Sequence, residues 1–177
     1  MENPWQDLWG CISDSIIYAW MLPCMAIAVT GYLIFTWFFL VKWDPNLVED
    51  LQWPWYQPTS EVNQALVGGH ARLLLAYMFF LVPSILWLEL TILHLQYRKI
   101  WSQVLVIGNL WLVCIGNILM VLLAWSAHRQ FSHQVGTKTI WPIIGSLMLG
   151  LQCIINDGIV WNVKFPWFNP CSVGEVA

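Results

Sequence analysis

Charged side chains are scarce in this sequence, and their scarcity excludes a soluble globular domain. Asp, Glu, Lys and Arg make up 10% of the 177 residues, while hydrophobic residues make up 59% and the mean hydropathy is +0.63. Soluble domains carry about 25% charged residues. The net charge of −3 comes without any basic cluster, so we expect no nucleic-acid partner.

Recognisable catalytic and targeting signals are also missing. The residues before the first apolar run are acidic (Glu2, Asp7, Asp14), unlike the basic start of a cleaved signal peptide, so we expect that run to be retained. The five cysteines show no CxxC pair and no paired spacing. No nucleophile motif and no metal-binding triad occurs. We therefore predict no cofactor and no metal.

Long apolar runs are what the chain does have. Four of them, near residues 15–41, 71–95, 103–126 and 140–161, reach the roughly 20 residues that cross a hydrocarbon core. The prediction is an all-α, integral membrane four-helix transmembrane bundle that forms a single domain over residues 1–177, with the lipid bilayer as its surroundings. Tryptophans near the run ends are typical of interfacial anchors: Trp37, Trp43, Trp101, Trp125, Trp141 and Trp161.

The connection 42–69 is the longest one. It holds four acidic residues, three prolines and three tryptophans, too polar for lipid and too aromatic for water. We expect it to fold back on the bundle or to lie at the headgroups, with turns at Asp44-Pro45 and Gln57-Pro58.

The fourth run carries a polar stripe. Ser146, Gly150, Cys153 and Asp157 recur at the spacing of one α-helical face, with Gln152 on its flank. Small and polar residues in a membrane helix mark contact with other helices. In the third run, Gly108-Asn109 and Gly116-Asn117 repeat a small-plus-amide step, so Gly108, Gly116 and Asn117 are also predicted to pack against a neighbouring helix.

Depth brings polar residues of three runs to one level. At about 1.5 Å per residue, Glu89, Asn109, Asn156 and Asp157 lie at similar distances from the amino-terminal side. We predict an intramembrane polar cluster of these four residues. Its role is either a hydrogen-bonded knot or a polar pocket. Such a pocket would be a proton relay, a cation site, or a site where Glu89 and Asp157 act on a lipid as acid and base. Such residues are expensive in a membrane unless they are paired or hydrated.

Orientation follows from the few charges. Arg98 and Lys99 lie together in the tight turn on the amino-terminal side, whereas the long connection on the other side is acidic. Three basic residues on the amino-terminal side against four on the other do not decide the orientation by the positive-inside rule. The concentrated basic pair and the acidic connection favour a cytosolic amino terminus.

The order of several short features resembles the DRAM/Sfk/FRAG group of multi-span membrane proteins, which are autophagy modulators and lipid-signalling adaptors. The features are Trp43-Asp44-Pro45, Gln96-Tyr97-Arg98-Lys99, Gly116-Asn117, His133-Gln134-Val135-Gly136 and Gln152. They cover about residues 15–160. The chain departs from the group in having four runs where six spans are usual, and in carrying Ser13-Asp14 before the first run. The resemblance implies a non-enzymatic modulator or adaptor with a cytosolic amino terminus.

Three functions remain open from the sequence. The leading hypothesis is a non-catalytic, multi-pass accessory subunit or modulator that contacts other membrane protein subunits. The second is a small lipid- or sterol-binding or modifying protein that uses Glu89 and Asp157 in a pocket. The third is an electron-transfer subunit that holds haem or quinone near His70 and His128, although solvated interfacial histidines would give the same pattern.

Overall fold

Every regular element in the computed structural model is a helix within the residues it describes, which are 16–55, 68–165 and 167. The elements are α1 (Ile16–Trp37) with a π-helical extension (Phe38–Lys42), α2 (Pro45–Glu49), α3 (Gly69–Tyr97), α4 (Ile100–Val135), a 3-10 turn (Gly136–Thr139), α5 (Ile140–Gly150), a π-helix (Leu151–Trp161) and the short α6 (Asn162–Lys164). The all-α prediction is confirmed.

Three stretches of the described chain are long and apolar enough to cross a membrane: Ala19–Lys42, Gly69–Tyr97 and Ile100–Lys164. The third reverses direction at the 3-10 turn. Close to the turn, His128 Nδ1 lies 2.8 Å from Thr139 Oγ1. Further from it, Asn117 Nδ2 donates to the Ser146 carbonyl at 3.1 Å, and Cys114 contacts Cys153. Residues before and after the turn therefore pair in antiparallel order, with α4 beside α5 and the π-helix.

One end of the molecule, here called the loop end, holds α2. The opposite end, here called the turn end, holds the α3–α4 connection at residues 98–99. α1 runs from the turn end to the loop end, α3 runs back, α4 returns to the loop end, and α5 with the π-helix runs back again.

Two glycines set the crossing of α1 with α5. The buried residues of α1 recur every three or four positions, which gives one face for this contact: Met21, Cys24, Ala28, Gly31 and Phe35. A Cβ atom on Gly145 would lie 2.6 Å from the Gly31 carbonyl oxygen. Only glycine permits backbones to approach so closely, and membrane helices associate largely through such packing.

The contact of α3 with α4 is built around the proline in α3. Pro83 lacks an amide proton and interrupts the helix hydrogen bonds. Asn109 Nδ2 donates to the Pro83 carbonyl at 2.8 Å, and a Cβ on Gly116 would lie 2.5 Å from the Phe80 nitrogen. Gly108, by contrast, is exposed, and apart from the backbone of its own helix no atom of the described residues lies within 4 Å of the position of a Cβ. Gly108 therefore does not pack against another described helix, because it lies on the outer side of α4.

The first part of the long connection packs onto the loop end. Asp44 caps α2, since its Oδ1 accepts from the Asn46 amide at 2.9 Å, and Pro45 occupies the first helical position. Val48 and Leu51 are buried in the main core, and the buried Arg72 guanidinium donates to the Leu51 carbonyl. The connection therefore folds back as predicted, up to residue 55. The turn predicted at Gln57-Pro58 lies outside the described residues.

The tryptophans divide into two groups. Trp37, Trp101, Trp125 and Trp141 are about half exposed. Trp43 and Trp161 are buried, which corrects their assignment as interfacial anchors. The Trp43 ring packs on Phe39, with centroids 4.8 Å apart, and Trp161 packs on Phe165 at 4.3 Å.

We expect the two glycines of α4 to respond oppositely to the same substitution. Gly116→Val should destabilise the fold by about 1–3 kcal/mol, because the side chain would push α4 from the α3 backbone. Gly108→Val on the same helix should change stability by less than about 0.5 kcal/mol. Thermal unfolding of both variants in detergent measures the difference. Equal losses would show that this crossing does not depend on close backbone approach.

The attachment of α2 to α3 should weaken in acid. His70 Nδ1 lies 2.5 Å from Glu49 Oε2, and this hydrogen bond holds the pKa of Glu49 below its ordinary value of 4.5. A lowered folded-state pKa stabilises the contact at pH above the ordinary value, and that contribution disappears as the pH falls through the lowered one.

Hydrogen exchange of the amides in 46–51 measures this contact. After correction for intrinsic rates, we expect protection to fall below about pH 4.5. The Glu49→Gln variant should show the lower protection already at neutral pH, with no further acid step. Full protection in that variant would contradict a role for the His70 contact.

Candidate functional site

The π-helix places a carboxylate and two amides in one hydrogen-bonded row. Gln152 Nε2 donates to Asp157 Oδ1 at 2.8 Å, and Asn156 Nδ2 donates to Gln152 Oε1 at 2.9 Å. In an α-helix, residues five apart point about 140° away from each other. The wider turn of a π-helix, with its i to i+5 hydrogen bonds, instead brings residues 152 and 157 to the same side. Short π-helical segments are frequent at functional sites.

This widening also alters the predicted polar stripe. Ser146, Gly150 and Cys153 lie against α4, where the Cys153 carbonyl accepts from Cys114 Sγ at 3.1 Å and a Cβ on Gly150 would lie 2.8 Å from Asn117 Oδ1. Asp157 is half-buried and lines a cavity. The first three residues are thus at a helix contact, whereas Asp157 is at the wall of the cavity, which Cys153 also lines.

The cavity lies between all the long helices and has a volume of about 420 Å³. Its walls are apolar apart from a few groups. The lining residues are Met25, Ala28, Val29, Tyr32, Phe80, Leu81, Ser84, Trp87, Leu110, Val113, Leu149, Gln152, Cys153, Asp157 and Trp161. A mainly apolar pocket with few convergent polar groups is the usual form of a small-molecule site.

The shape of the cavity follows from how α1 and α3 meet. Toward the loop end they touch through Tyr77, whose hydroxyl lies 2.9 Å from Thr36 Oγ1 and whose ring packs edge-on against Tyr32. Toward the turn end the cavity is bounded by Trp87 and Trp161, with centroids 6.1 Å apart. Between these limits, exposed lining residues of both helices border an opening: Met25 and Val29 on α1, Leu81 and Ser84 on α3.

The predicted polar cluster is only partly assembled. Asn156 and Asp157 are joined through Gln152, which the α-helical spacing had assigned to the flank of the stripe. Asn109 is buried but donates to the Pro83 carbonyl. Glu89 is exposed on the outer face of α3 and has no hydrogen bond or ion pair with any described residue. The cluster prediction is therefore wrong for Glu89. The sequence matched Glu89 to the other three residues by its depth along the helix. Around the helix, however, Glu89 lies on the face opposite Trp87 and Thr91, each of which is two residues away.

One serine–histidine contact has the composition of a catalytic pair but not its accessibility. His94 Nδ1 lies 2.9 Å from Ser102 Oγ, and His94 Nε2 lies 2.7 Å from the Trp167 carbonyl. Both side chains are 1% exposed, and Ser102 Oγ also donates to the Lys99 carbonyl at 2.8 Å. The pair ties the α3–α4 connection to residue 167 and offers no surface to a substrate.

The histidines named for an electron-transfer site have other contacts. His70 is exposed and binds Glu49, and His128 is half-buried and binds Thr139. In the part of the chain that the structure describes, no group of three or more His, Cys, Asp and Glu side chains is arranged to hold a metal ion.

The cavity wall carries an acidic side chain without a basic one beside it among the described residues. Asp157 Oδ1 accepts the hydrogen bond from Gln152, and Oδ2 accepts none from the described residues. Among the residues that the structure describes, no lysine or arginine lines the cavity. The pocket thus presents a carboxylate that the lining side chains do not neutralise, in apolar surroundings where such a group is costly.

Comparisons of the chain with protein-family models, with curated proteins and with solved structures found no match. The resemblance to the DRAM/Sfk/FRAG group stays a prediction.

Proposed function

We propose that this protein is a multi-pass membrane protein that crosses the bilayer four times and binds an amphipathic lipid in the cavity beside Asp157. Three apolar stretches support the crossings, and the reversal at Gly136–Thr139 divides the third into two antiparallel legs. Each leg is long enough for the hydrocarbon core.

The opening between α1 and α3 is the observation that carries lipid binding. Its rim residues belong to the outer, apolar surface of two helices that would face lipid, so a ligand reaches the cavity from within the bilayer. The apolar walls suit a hydrocarbon chain, and the Gln152–Asp157 pair suits a polar head. A bound chain would also fill space that the helices leave empty.

The geometry favours binding over chemical conversion. The acid–base hypothesis needs two ionisable groups near one substrate. Glu89 is on the outer face of α3, so Asp157 has no carboxylate partner among the lining residues. The remaining ionisable groups of the wall are the phenol of Tyr32 and the thiol of Cys153, which is buried among the helices.

A photoactivatable lipid tests the pocket in protein reconstituted into nanodiscs. We expect cross-links on peptides from α1 and α3 that line the opening. Val29→Trp should weaken labelling roughly tenfold, equivalent to about 1.4 kcal/mol, because the indole would occupy the rim. Leu33→Trp is the matched control, since Leu33 is equally exposed on the same helix (59% against 60%) but does not line the cavity. Equal labelling of both variants would argue against this site.

A second candidate, the accessory subunit, is favoured by Glu89 itself. A carboxylate on the outer face of a membrane helix is costly in lipid, and contact with a basic side chain of another membrane protein would remove that cost. A modulator of this kind agrees with the resemblance described above and with a cytosolic amino terminus.

Co-purification from native membranes tests the subunit hypothesis. A stoichiometric partner should be lost from Glu89→Gln and retained by Glu89→Asp, which keeps the charge. The partner should carry a Lys or Arg within a membrane-spanning helix. Its full retention by Glu89→Gln would contradict this interface.

A further inference from the structure

Several polar groups of the cavity wall already have hydrogen-bond partners. Gln152 Oε1 already accepts from Asn156 and one N–H of Nε2 is donated to Asp157. Ser84 Oγ donates to the Phe80 carbonyl at 2.6 Å. Two neutral groups of lining residues also have no hydrogen-bond partner among the described residues, the buried Trp161 Nε1 and the Tyr32 hydroxyl. The Asp157 carboxylate, when ionised, is the one charged acceptor among the described residues of the wall, and its Oδ2 is free to accept.

From this inventory we infer that the ligand is a single-chain lipid whose head is a protonated amine. An ammonium group donates hydrogen bonds and supplies the missing positive charge, and charge-assisted hydrogen bonds are about twice as strong as neutral ones. This inference rests on the proposed function and adds the chemical class of the ligand.

Other heads fit the cavity less well. Phosphate and carboxylate heads would meet the ionised Asp157 with like charge and would find no Lys or Arg among the described residues of the wall. A hydroxyl would satisfy one oxygen but leave the negative charge without a counter-ion. A buried charge without a partner is strongly unfavourable.

The position of Asp157 agrees with the orientation of an amphiphile in a bilayer. Asp157 lies seven residues before Lys164 at the turn end, at most about 10 Å along the helix. The amine would lie near that interface, and the chain would extend toward Tyr32 and Phe80. The cavity volume of about 420 Å³ is in the lower part of the range of about 300–1,000 Å³ for small-molecule sites, which suits one chain better than two.

Three probes that share one saturated chain separate the heads: a primary amine, a primary alcohol and a carboxylate. They compete with the photoactivatable lipid in nanodiscs of neutral phosphatidylcholine, and binding to Val29→Trp is subtracted as background. We expect the amine to bind about tenfold more tightly than the alcohol, since hydrogen bonds to charged groups are stronger, and the carboxylate to bind most weakly.

Asp157→Asn keeps the shape of the side chain and removes its charge. In this variant the amine should lose its advantage, while the alcohol should bind within about twofold of its wild-type affinity, a readout that also reports folding. Glu89→Gln, which removes a carboxylate from the outer face of α3 and leaves the residues that line the cavity unchanged, should preserve the wild-type order of the probes and serves as a second variant.

The outcomes distinguish the two proposals. Equal binding of the three probes to the wild type, tighter binding of the alcohol, or an amine advantage that persists in Asp157→Asn would overturn the amine head and leave lipid binding in place. Failure of all three probes to bind above background would overturn the proposed function itself. The wild-type comparison alone decides the inference if neither variant folds.

Discussion

The hydrogen bond from Gln152 to Asp157 is the interaction on which the pocket depends. It exists because the helix between Leu151 and Trp161 is wound more widely than an α-helix, so that side chains five residues apart face the same way. The same bond, with Asn156 behind it, gives a carboxylate a fixed position in an apolar interior. Without the wider turn, the two side chains would point in different directions.

The helices around this row are held by two kinds of contact. Glycines let the backbones of α1 and α5, and of α3 and α4, approach closely. The contact of α1 with α3 instead consists of aromatic rings and one hydroxyl pair centred on Tyr77. Bulky rings hold helices apart where glycines draw them together. The cavity lies in the space that this difference leaves toward the turn end.

Much of the architecture could be predicted from the sequence, because long apolar runs have few alternatives to membrane helices. Asp44-Pro45 likewise marked a local break in the chain, which the structure shows to be the start of α2. Periodicity could not predict the winding of residues 151–161, since a π-helix and an α-helix have similar composition. The α-helical spacing put Gln152 on the flank of the polar stripe and did not reveal its hydrogen bond to Asp157.

Position around a helix was harder to infer than position along it. Glu89 and Asp157 were matched by depth, but Glu89 faces outward because the buried positions of α3 fall on Pro83, Thr91 and His94. Gly108 and Gly116 carry the same dipeptide motif, yet only Gly116 meets a neighbouring backbone. Which face a residue occupies is decided by tertiary contacts, and short motifs do not encode them.

The length of α4 has a further consequence for how the protein sits in a bilayer. Its 36 residues span about 54 Å, well beyond a hydrocarbon core of about 30 Å. Helices with excess apolar length usually tilt or thicken the surrounding lipid. Here the final turns of α4 are covered by protein, since Trp43 packs on Phe131 with centroids 6.5 Å apart and Leu51 is buried in the same cluster. These turns also carry the polar side chains of Arg129, Gln130 and His133, so the length of α4 beyond such a core is polar as well as partly covered by protein, and it requires neither tilt nor a thicker bilayer.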